Sequence, residues 1–453
     1  MAQSRQNPYA RLASAAAGSR WLQNLGEGGS PGCSPTGWVS LQIGVLFLPT
    51  SALLAGLAML IAITTCHPTG GERLLERPLA RALLLLSALM LVALSTARNL
   101  GLAAIGLFNW LPFFWFFLAV EPYLRRAESR RRLGLWLVIG TVPVVVIGLL
   151  QVLFGWSTPL QALGGALEWT MRYPERATGI FDTVNSTAGW LLLSLPFLLQ
   201  RLGEPRYRWV TAAVLVLTST ALLLTSSRSA VALLPLVILA SARKRLVPWL
   251  LLAIGLYALL VAGTLAGLTD HWPGIDLLVP DLLSAKLERL INPASSTALQ
   301  MPEIRASLYP IGWRLVQSVP WLGMGENGFR SLYLAGQLPL PANEGLNHTH
   351  NLPLEFALSH GIPALVLLLL IMGSVCAAAL QRWRLQGDQR GQDRAWLIAA
   401  GLIIWLHIWD IPAYDSRFNM ADWLIFAALL AISGGRGQLP WPRRTAPQHG
   451  AQG

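Results

Sequence analysis

The chain is dominated by apolar runs that approach the length of a membrane-spanning helix and are separated by short polar segments. A helix needs about 20 residues to cross the hydrocarbon core of a bilayer. Nine clear runs have 13 to 23 residues, and a tenth, over residues 229–242, is closed by Arg243, Lys244 and Arg245. The nine cover residues 82–97, 101–120, 133–153, 186–202, 209–225, 246–268, 361–380, 395–409 and 421–433. This pattern predicts an all-α integral membrane protein.

The first apolar stretch, residues 38–66, is long for one helix and short for two, and the basic residues decide how it divides. Cytoplasmic loops of membrane proteins carry an excess of Lys and Arg. Placing the Arg-rich loop 125–132 in the cytoplasm brings the other basic clusters to the same side. The basic N-terminal tail stays there only if residues 38–66 form a tight hairpin about Pro49. The charges therefore predict about twelve transmembrane helices with both termini cytoplasmic.

One polar connection is much longer than the others. Residues 269–351 carry charged side chains interleaved with Trp and Tyr, and a long loop in a compact protein is often functional. We expect this segment to form one large, partly helical periplasmic loop. The predicted order is a cytosolic tail over 1–37, transmembrane segments one to nine over 38–268, this loop, segments ten to twelve over 352–433, and a second cytosolic tail over 434–453.

Composition agrees with a membrane protein and removes several classes of function. Of the 453 residues, 54% are hydrophobic and only 12% are charged, against roughly 25% charged residues in an ordinary soluble domain. The net charge of +12 would suggest nucleic-acid binding in a soluble chain, but here the basic residues follow the membrane topology. Three scattered cysteines, Cys33, Cys66 and Cys376, are too few for a disulfide framework or a metal site.

Sequence motifs for nucleotide or zinc chemistry do not occur. The chain has no Gly-rich phosphate loop and no His-Glu-x-x-His, which are the usual signatures of these sites. We therefore expect neither a metal nor a cofactor, and an ATP-driven pump is disfavoured.

The predicted topology instead collects polar residues on the outer face. Arg176, Arg228, Arg305 and His350 all fall there. An arginine at a membrane boundary is costly unless it is paired or functional, and its planar guanidinium matches two phosphate oxygens at once. The set suggests an enzyme that holds a lipid-linked phosphate or diphosphate. Taken singly, each residue also fits a structural role, such as an Arg228 side chain that extends to the interface.

A second polar group lies just before the last predicted span. It consists of Asp410, Asp415 and Arg417. These residues fit a structural ion pair that closes a short loop as well as they fit a site, so both interpretations stay open.

Short motifs give the chain a resemblance to a known family. His350-Asn351, followed by nine residues and Gly361-Ile-Pro-Ala, is similar to the His-Asn and Gly-x-x-Gly signature of the O-antigen ligase and polymerase superfamily. Other elements occur in the family's order. They are Arg176-x-x-Gly179 with Asn185, Ser227-Arg228, Arg305-x-x-x-Tyr309, Pro320-Trp-Leu-Gly-Met-Gly325 and His407-Ile-Trp-Asp410. The resemblance covers most of the chain, from about residue 47 to 432.

Three positions depart from the family pattern. Ala364 replaces the last Gly of Gly-x-x-Gly, Tyr309 stands where Trp is usual, and Val184 precedes Asn185 where Pro is expected. The first two are packing changes at helix contacts and do not alter the assignment.

The resemblance implies a membrane glycosyltransferase of the C-type class, in the inner (plasma) membrane, active in lipopolysaccharide or surface polysaccharide biosynthesis. Its donor would be a glycan linked to undecaprenyl diphosphate, and its acceptor a hydroxyl of lipid A core or of another glycan. Arg176, Arg228 and Arg305 would neutralise the diphosphate. His350 would be the general base, with His348 as the reserve. Supporting roles would fall on Asn185, Asn351, Asp410 and Arg417.

Two alternatives to a ligase stay open at this point. One is an O-antigen or exopolysaccharide polymerase, and the other is a transporter of a small anion such as bicarbonate, both within the same family. Transporters often show internal repeats and polar residues at the bilayer midplane. Here the polar residues collect at the outer surface and no repeat is evident, which favours an enzyme.

Overall fold

The computed structural model describes residues 33–65, 77–156, 176–242 except 182, 300–340, 346–385 and 390–434, with short parts of 247–263. Most of both predicted tails, the loop residues 269–299 and most of the run 246–268 lie outside these ranges. Regular structure in the described residues is helical.

The described chain begins with a helical hairpin. Helix α1 spans Pro35–Phe47 and helix α2 spans Ala52–Thr64, and the two pack side by side. The hydroxyls of Ser34 and Ser51 accept hydrogen bonds from the first turns of these helices, which is how Ser favours a helix start. The tight turn predicted about Pro49 is therefore present. Each helix is only about 20 Å long at 1.5 Å per residue, so two full membrane spans here stay a prediction.

The middle of the chain forms helices α3 to α9. Their bounds are α3 Pro78–Val92, α4 Leu100–Gly106, α5 Leu111–Val120, α6 Ala127–Phe154, α7 Val184–Arg201, α8 Arg208–Leu224 and α9 Arg228–Ser241. The rest of the described chain adds α10 Gln300–Ser318, α11 Gly328–Leu334, α12 Leu352–Leu385, α13 Arg390–Trp409 and α14 Ser416–Ile432. Helices α10 and α11 lie within the segment predicted to be a partly helical loop.

Five segments in the described residues are long and apolar enough to cross a bilayer. They are Pro78–Thr96, Leu100–Leu124, Ala127–Phe154, Pro205–Leu224 and Leu352–Leu385. Many large apolar side chains on the outer helices are exposed, among them Leu53, Ile105 and Leu370. Such a surface suits lipid better than water. A multi-pass membrane protein agrees with these features, and the number of twelve spans stays a prediction.

Two helices form the centre of the bundle. Helix α14 is buried at every position from Phe418 to Ile432, and α7 is buried along most of its length. Helix α13 packs against both, while α5 and α12 pack on α14, and α8 and α9 pack on α7. The ends of α7, α9, α12 and α13 therefore hold fixed positions relative to one another.

Helix α12 is kinked at Gly361, and the segment after α10 fits into the kink. Gly361 has a φ of +84°, which a residue with a Cβ rarely adopts. The kink exposes backbone carbonyls, and the amides of Met324 and Gly325 donate to the carbonyls of Leu358 and Ser359 over 2.7 and 3.0 Å. A Cβ on Gly361 would meet the Trp321 carbonyl. The family-like Pro-x-Leu-Gly-x-Gly run and Gly361 are thus two halves of one backbone contact.

Candidate functional site

Four helix ends meet at one end of the bundle. These are the N-termini of α7, α9 and α12 and the C-terminus of α13. Hydrogen bonds join the side chains at these four ends into one network. Four of the nine predicted site residues, Asn185, His350, Asn351 and Asp410, lie in this network.

His350 and Asp410 form the centre of the network. The Nδ1 atom of His350 lies 2.9 Å from Oδ1 of Asp410, and both side chains are partly exposed, at 15% and 27%. An ionised carboxylate accepts hydrogen bonds only, so with Asp410 ionised Nδ1 carries the proton and donates a hydrogen bond to Oδ1. The arrangement leaves Nε2 as the basic nitrogen of the imidazole. Asp410 therefore fixes both the tautomer and the orientation of His350.

The backbone around His350 is held in a strained turn. His350 has a φ of +54°, a conformation that is uncommon for any residue with a Cβ, although His adopts it more often than most. Its amide donates to Nδ1 of His348 over 3.1 Å, and the two imidazole rings lie 4.2 Å apart. Asn351 caps α12, because its Oδ1 accepts from the Leu354 amide, while its Nδ2 donates to the Ile408 carbonyl near the end of α13. Asn351 therefore ties together the two helices that carry His350 and Asp410.

Asp410 also contacts the other side of the network. Nδ2 of Asn185 donates to Oδ2 of Asp410 over 3.4 Å, and Oδ1 of Asn185 accepts from the Ser227 hydroxyl over 3.2 Å. Asn185 lies in the first turn of α7, and Ser227 is the N-cap residue of α9. The chain of contacts thus runs from His350 to the residue directly before Arg228.

Arg176 holds the turn between α8 and α9. Its Nε and Nη2 donate to the carbonyls of Thr225 and Ser226 over 2.8 and 3.0 Å. The segment that contains Arg176 is fixed in turn by Gln151 of α6, whose Oε1 accepts from the Gly179 amide over 2.8 Å. In the structure, therefore, Arg176 supports the backbone that presents Ser227 and Arg228.

The other two predicted arginines are described only by their backbones. Arg228 is the first residue of α9 and Arg305 lies in α10, and the side chains of both lie outside the described part of the structure. Their convergence on one ligand stays a prediction.

The ion pair expected before the last span is present, and it does not include Asp410. Nη2 of Arg417 lies 2.6 Å from Oδ2 of Asp415. The same guanidinium donates to the Ile180 carbonyl and lies 4.2 Å from the centre of the Phe181 ring. Arg417 therefore joins the loop before α14 to the segment before α7, and Asp410 is left to pair with His350.

Sequence reasoning missed a buried polar cluster beneath the site. Tyr414 donates to Oε1 of Glu326 over 3.1 Å, and Oε2 of Glu326 lies 2.8 Å from Nε2 of the buried His360. The Tyr414 ring lies 5.5 Å from the His348 ring. Burial, together with the nearby Glu326 and Glu355 carboxylates, raises the pKa of the Tyr414 phenol well above its usual value. Glu326 directly follows the Gly-x-Gly of the family-like run, which was the one available signal.

Three of the site residues come close enough to hold a metal ion. Ligand atoms of His348, His350 and Asp410 all lie within 4.8 Å of one another. However, Nδ1 of His348 already accepts from a backbone amide, and Nδ1 of His350 is bound to Asp410. A metal that bound Nδ1 of either histidine would have to displace its hydrogen bond, so at these two atoms the arrangement favours an acid–base pair.

Fold and site together define a helical, multi-pass membrane protein with a His–Asp pair at one end of its helix bundle. Comparison with known families agrees with the motif-based resemblance. The family model described as O-antigen ligase matches residues 213–369, which include α9 to α11, His350 and the kink at Gly361. The match covers about a third of the chain and supports its membership in the O-antigen ligase superfamily. A search among curated proteins finds no significant match.

Proposed function

We propose that the protein is an O-antigen ligase-like glycosyltransferase of the plasma membrane. It transfers a glycan from undecaprenyl diphosphate to an acceptor hydroxyl, on lipid A core or on another glycan, at the periplasmic face. The observation that carries this proposal is the His350–Asp410 pair within a chain of this family. A histidine with one nitrogen fixed by a carboxylate and the other left basic suits the removal of a hydroxyl proton.

The reaction requires one bond to form and one to break. The acceptor oxygen bonds to the anomeric carbon of the donor sugar, and its proton moves to Nε2 of His350. The bond between that carbon and the diphosphate oxygen breaks, and its electron pair stays with the diphosphate. An imidazole base contributes about 10²–10⁴-fold in rate, and Asp410 stabilises the imidazolium that forms.

The leaving diphosphate gains negative charge in the transition state, and cationic groups near it lower the barrier. We assign this role to Arg228, at the N-terminus of α9, and to Arg305. The structure supports the assignment of Arg228 because the turn before it is bound to Arg176 and to the Asn185–Asp410 chain. Arg176 adds positive charge and also fixes that turn.

The proposed site requires that its end of the bundle faces the periplasm. Cysteine labelling from outside, in a variant without the three native cysteines, tests this with two exposed positions. Ala335, between α11 and α12, and Glu128, at the start of α6, are both exposed. A cysteine at 335 should react and one at 128 should not. The reverse pattern would contradict both the orientation and the cytoplasmic placement of the termini.

Surface glycan from a deletion strain separates the candidate functions. A ligase predicts loss of all high-mass glycan on lipid A core, and a polymerase predicts a single repeat unit on lipid A core. Each phenotype should be restored by the wild-type chain and not by a His350→Ala chain. Unchanged glycan together with reduced bicarbonate uptake would overturn the glycosyltransferase and favour a transporter.

A further inference from the structure

A small open cleft lies beside Asp410, between α7, α9 and α13. Asp410 lines the cleft and contacts His350, which is not itself a lining residue, so the cleft lies next to the candidate base. Its walls combine polar and apolar side chains. The lining residues are Asn185, Ser186, Gly189, Ser227, Ser229, Ala230, Trp405, Leu406, Trp409, Asp410 and Pro412.

The cleft joins the two halves of the proposed reaction. Ser227 and Ser229, on one wall, flank Arg228 in the sequence, and Arg228 is assigned to the diphosphate. Asp410, on another wall, holds His350 over 2.9 Å. In a glycosyl transfer, the group between the base and the leaving diphosphate is the sugar whose anomeric carbon is attacked. The position of the cleft therefore suits that sugar, an inference that rests on the proposed function.

The chemistry of the walls agrees with a sugar better than with a phosphate. An amide, three hydroxyls and a carboxylate offer donors and acceptors to sugar hydroxyls. Two indoles complete the lining, and their rings lie 5.9 Å apart. Indoles give the apolar face of a sugar ring a large, rigid surface. A diphosphate in the cleft itself would instead meet the negative charge of Asp410.

We propose that this cleft holds the donor sugar joined directly to the lipid diphosphate. Trp409, 42% exposed and adjacent to Asp410, packs against the sugar ring. Asn185, Ser227 and Ser229 form hydrogen bonds with its hydroxyls. Trp405, one turn deeper in the bundle, supports Trp409 and borders the path of the lipid chain.

The test measures the binding of two labelled lipids to the purified protein in nanodiscs. One probe is undecaprenyl diphosphate that carries the native glycan, and the other is undecaprenyl diphosphate alone. Trp409→Leu should weaken binding of the glycan-bearing lipid about tenfold and leave binding of the bare lipid unchanged, since the lost contact is to the sugar. Trp409→Phe, which keeps an aromatic face, should restore most of the affinity. Ser229→Ala should lower the affinity for the glycan-bearing lipid alone, by about threefold, because it removes one hydrogen bond to the sugar.

A matched control separates sugar binding from simple anchoring of Trp in the membrane interface. Trp156 follows α6 at the same end of the bundle and is 39% exposed, but it does not line the cleft. Trp156→Leu should leave the binding of both lipids unchanged.

Three results would overturn the proposal. The first is equal binding of the glycan-bearing lipid by wild type and Trp409→Leu. The second is an equal loss of affinity for both lipids in Trp409→Leu, which would assign the cleft to the lipid diphosphate instead. The third is a wild type that binds neither lipid, which would remove the proposed function as well. The wild type could bind both lipids, and Trp409→Leu could weaken binding of the glycan-bearing lipid alone, while the wild type transfers no glycan. That result would contradict the proposed function alone and leave the sugar site in place.

Discussion

The two ends of the helix bundle differ in how their charged side chains are paired. At the end opposite the candidate site, Arg130 of α6 forms two parallel hydrogen bonds with Asp393 of α13, over 2.8 and 2.7 Å. Its Nη1 also donates to the carbonyls of Leu124 and Arg125. Glu121, fully buried, is paired with Arg125 and Arg77. Asp393 lies 17 residues before Asp410 in the chain, about 26 Å away along a helix.

At the site end, the central His350–Asp410 pair is more weakly held and the backbone is more strained. His350 and Asp410 share one hydrogen bond and are both partly exposed. All three non-glycine residues with positive φ in the described structure, Ser226, Asn327 and His350, lie at this end. Buried polar atoms without a hydrogen-bond partner occur here too, including Oε1 of Glu355 and Oγ of Ser359.

This difference indicates separate roles for the two ends. A buried bidentate ion pair with additional carbonyl acceptors fixes helices in place and leaves no group free to react. Strained backbone and incompletely paired polar groups persist only where the surrounding structure holds them, and they are common at functional sites. The comparison can be tested by substitutions at each end, since one end should affect transfer and the other stability.

The largest effect is expected from His350→Ala. Removal of the general base should lower the rate of glycan transfer by about 10²–10⁴-fold. The protein should stay folded, because His350 is partly exposed at the end of the bundle. Transfer is measured with purified protein in proteoliposomes, and folding by thermal unfolding in detergent.

His348→Ala is the matched control for this change, since the two rings are neighbours. It should reduce transfer less than His350→Ala does. An inactive His348→Ala beside an active His350→Ala would move the role of base to His348, and full activity of both variants would remove the histidines from the mechanism.

At the opposite end, Arg130→Ala should act on stability. It leaves the buried Asp393 carboxylate without its bidentate partner, which costs about 3–5 kcal/mol for a pair of this kind. The thermal unfolding temperature should fall strongly, while transfer per folded molecule stays near the wild-type rate. Arg132→Ala, at a less buried position of the same helix, serves as control. Loss of specific activity in a folded Arg130→Ala protein would contradict the separation of roles.

Asp410→Asn should have an intermediate effect on transfer. The amide has nearly the shape of the carboxylate, but it neither stabilises an imidazolium nor fixes the tautomer of His350. Misplacement of a reacting group by about 1 Å costs roughly 10²-fold in rate. Asp415→Asn is the control in the same loop, since Asp415 pairs with Arg417 and not with His350. Equal losses in the two variants would reduce Asp410 to a structural residue.

The sequence predicts the helices well where an apolar run coincides with a helix, as in α6, where the run 133–153 lies inside Ala127–Phe154. It fails at α12, where the apolar run starts at Gly361 but the helix starts at Leu352. Residues 352–360 include Glu355 and His360, which look like loop residues by charge. They are buried in the fold because Thr349 and Glu326 supply partners from other segments.

The candidate site shows the same limit. Family-like motifs indicated His350 and Asp410 separately, yet their contact joins residues 60 positions apart. Periodicity and charge describe single helices, whereas a pairing of this kind depends on how α12 and α13 pack together. For Asp410, the local sequence fits an ion pair with Arg417 as well as it fits a role in the site.

The smallest effect is expected from Tyr414→Phe, which tests the polar cluster beneath the site. The change removes the donor to Glu326, and a buried carboxylate that loses one hydrogen bond costs about 1–3 kcal/mol. Stability should therefore fall modestly, with transfer reduced only slightly because His350 and Asp410 keep their contact.

The raised pKa of Tyr414 adds a dependence on pH. Its phenol stays protonated in the folded protein at pH values where the unfolded chain loses the proton, so its contribution is complete below about pH 10 and declines above it. The difference in unfolding temperature between wild type and Tyr414→Phe should thus be constant at neutral pH and shrink as the pH rises beyond 10. A difference that grows in alkaline solution would show that the phenolate is the form the folded protein favours.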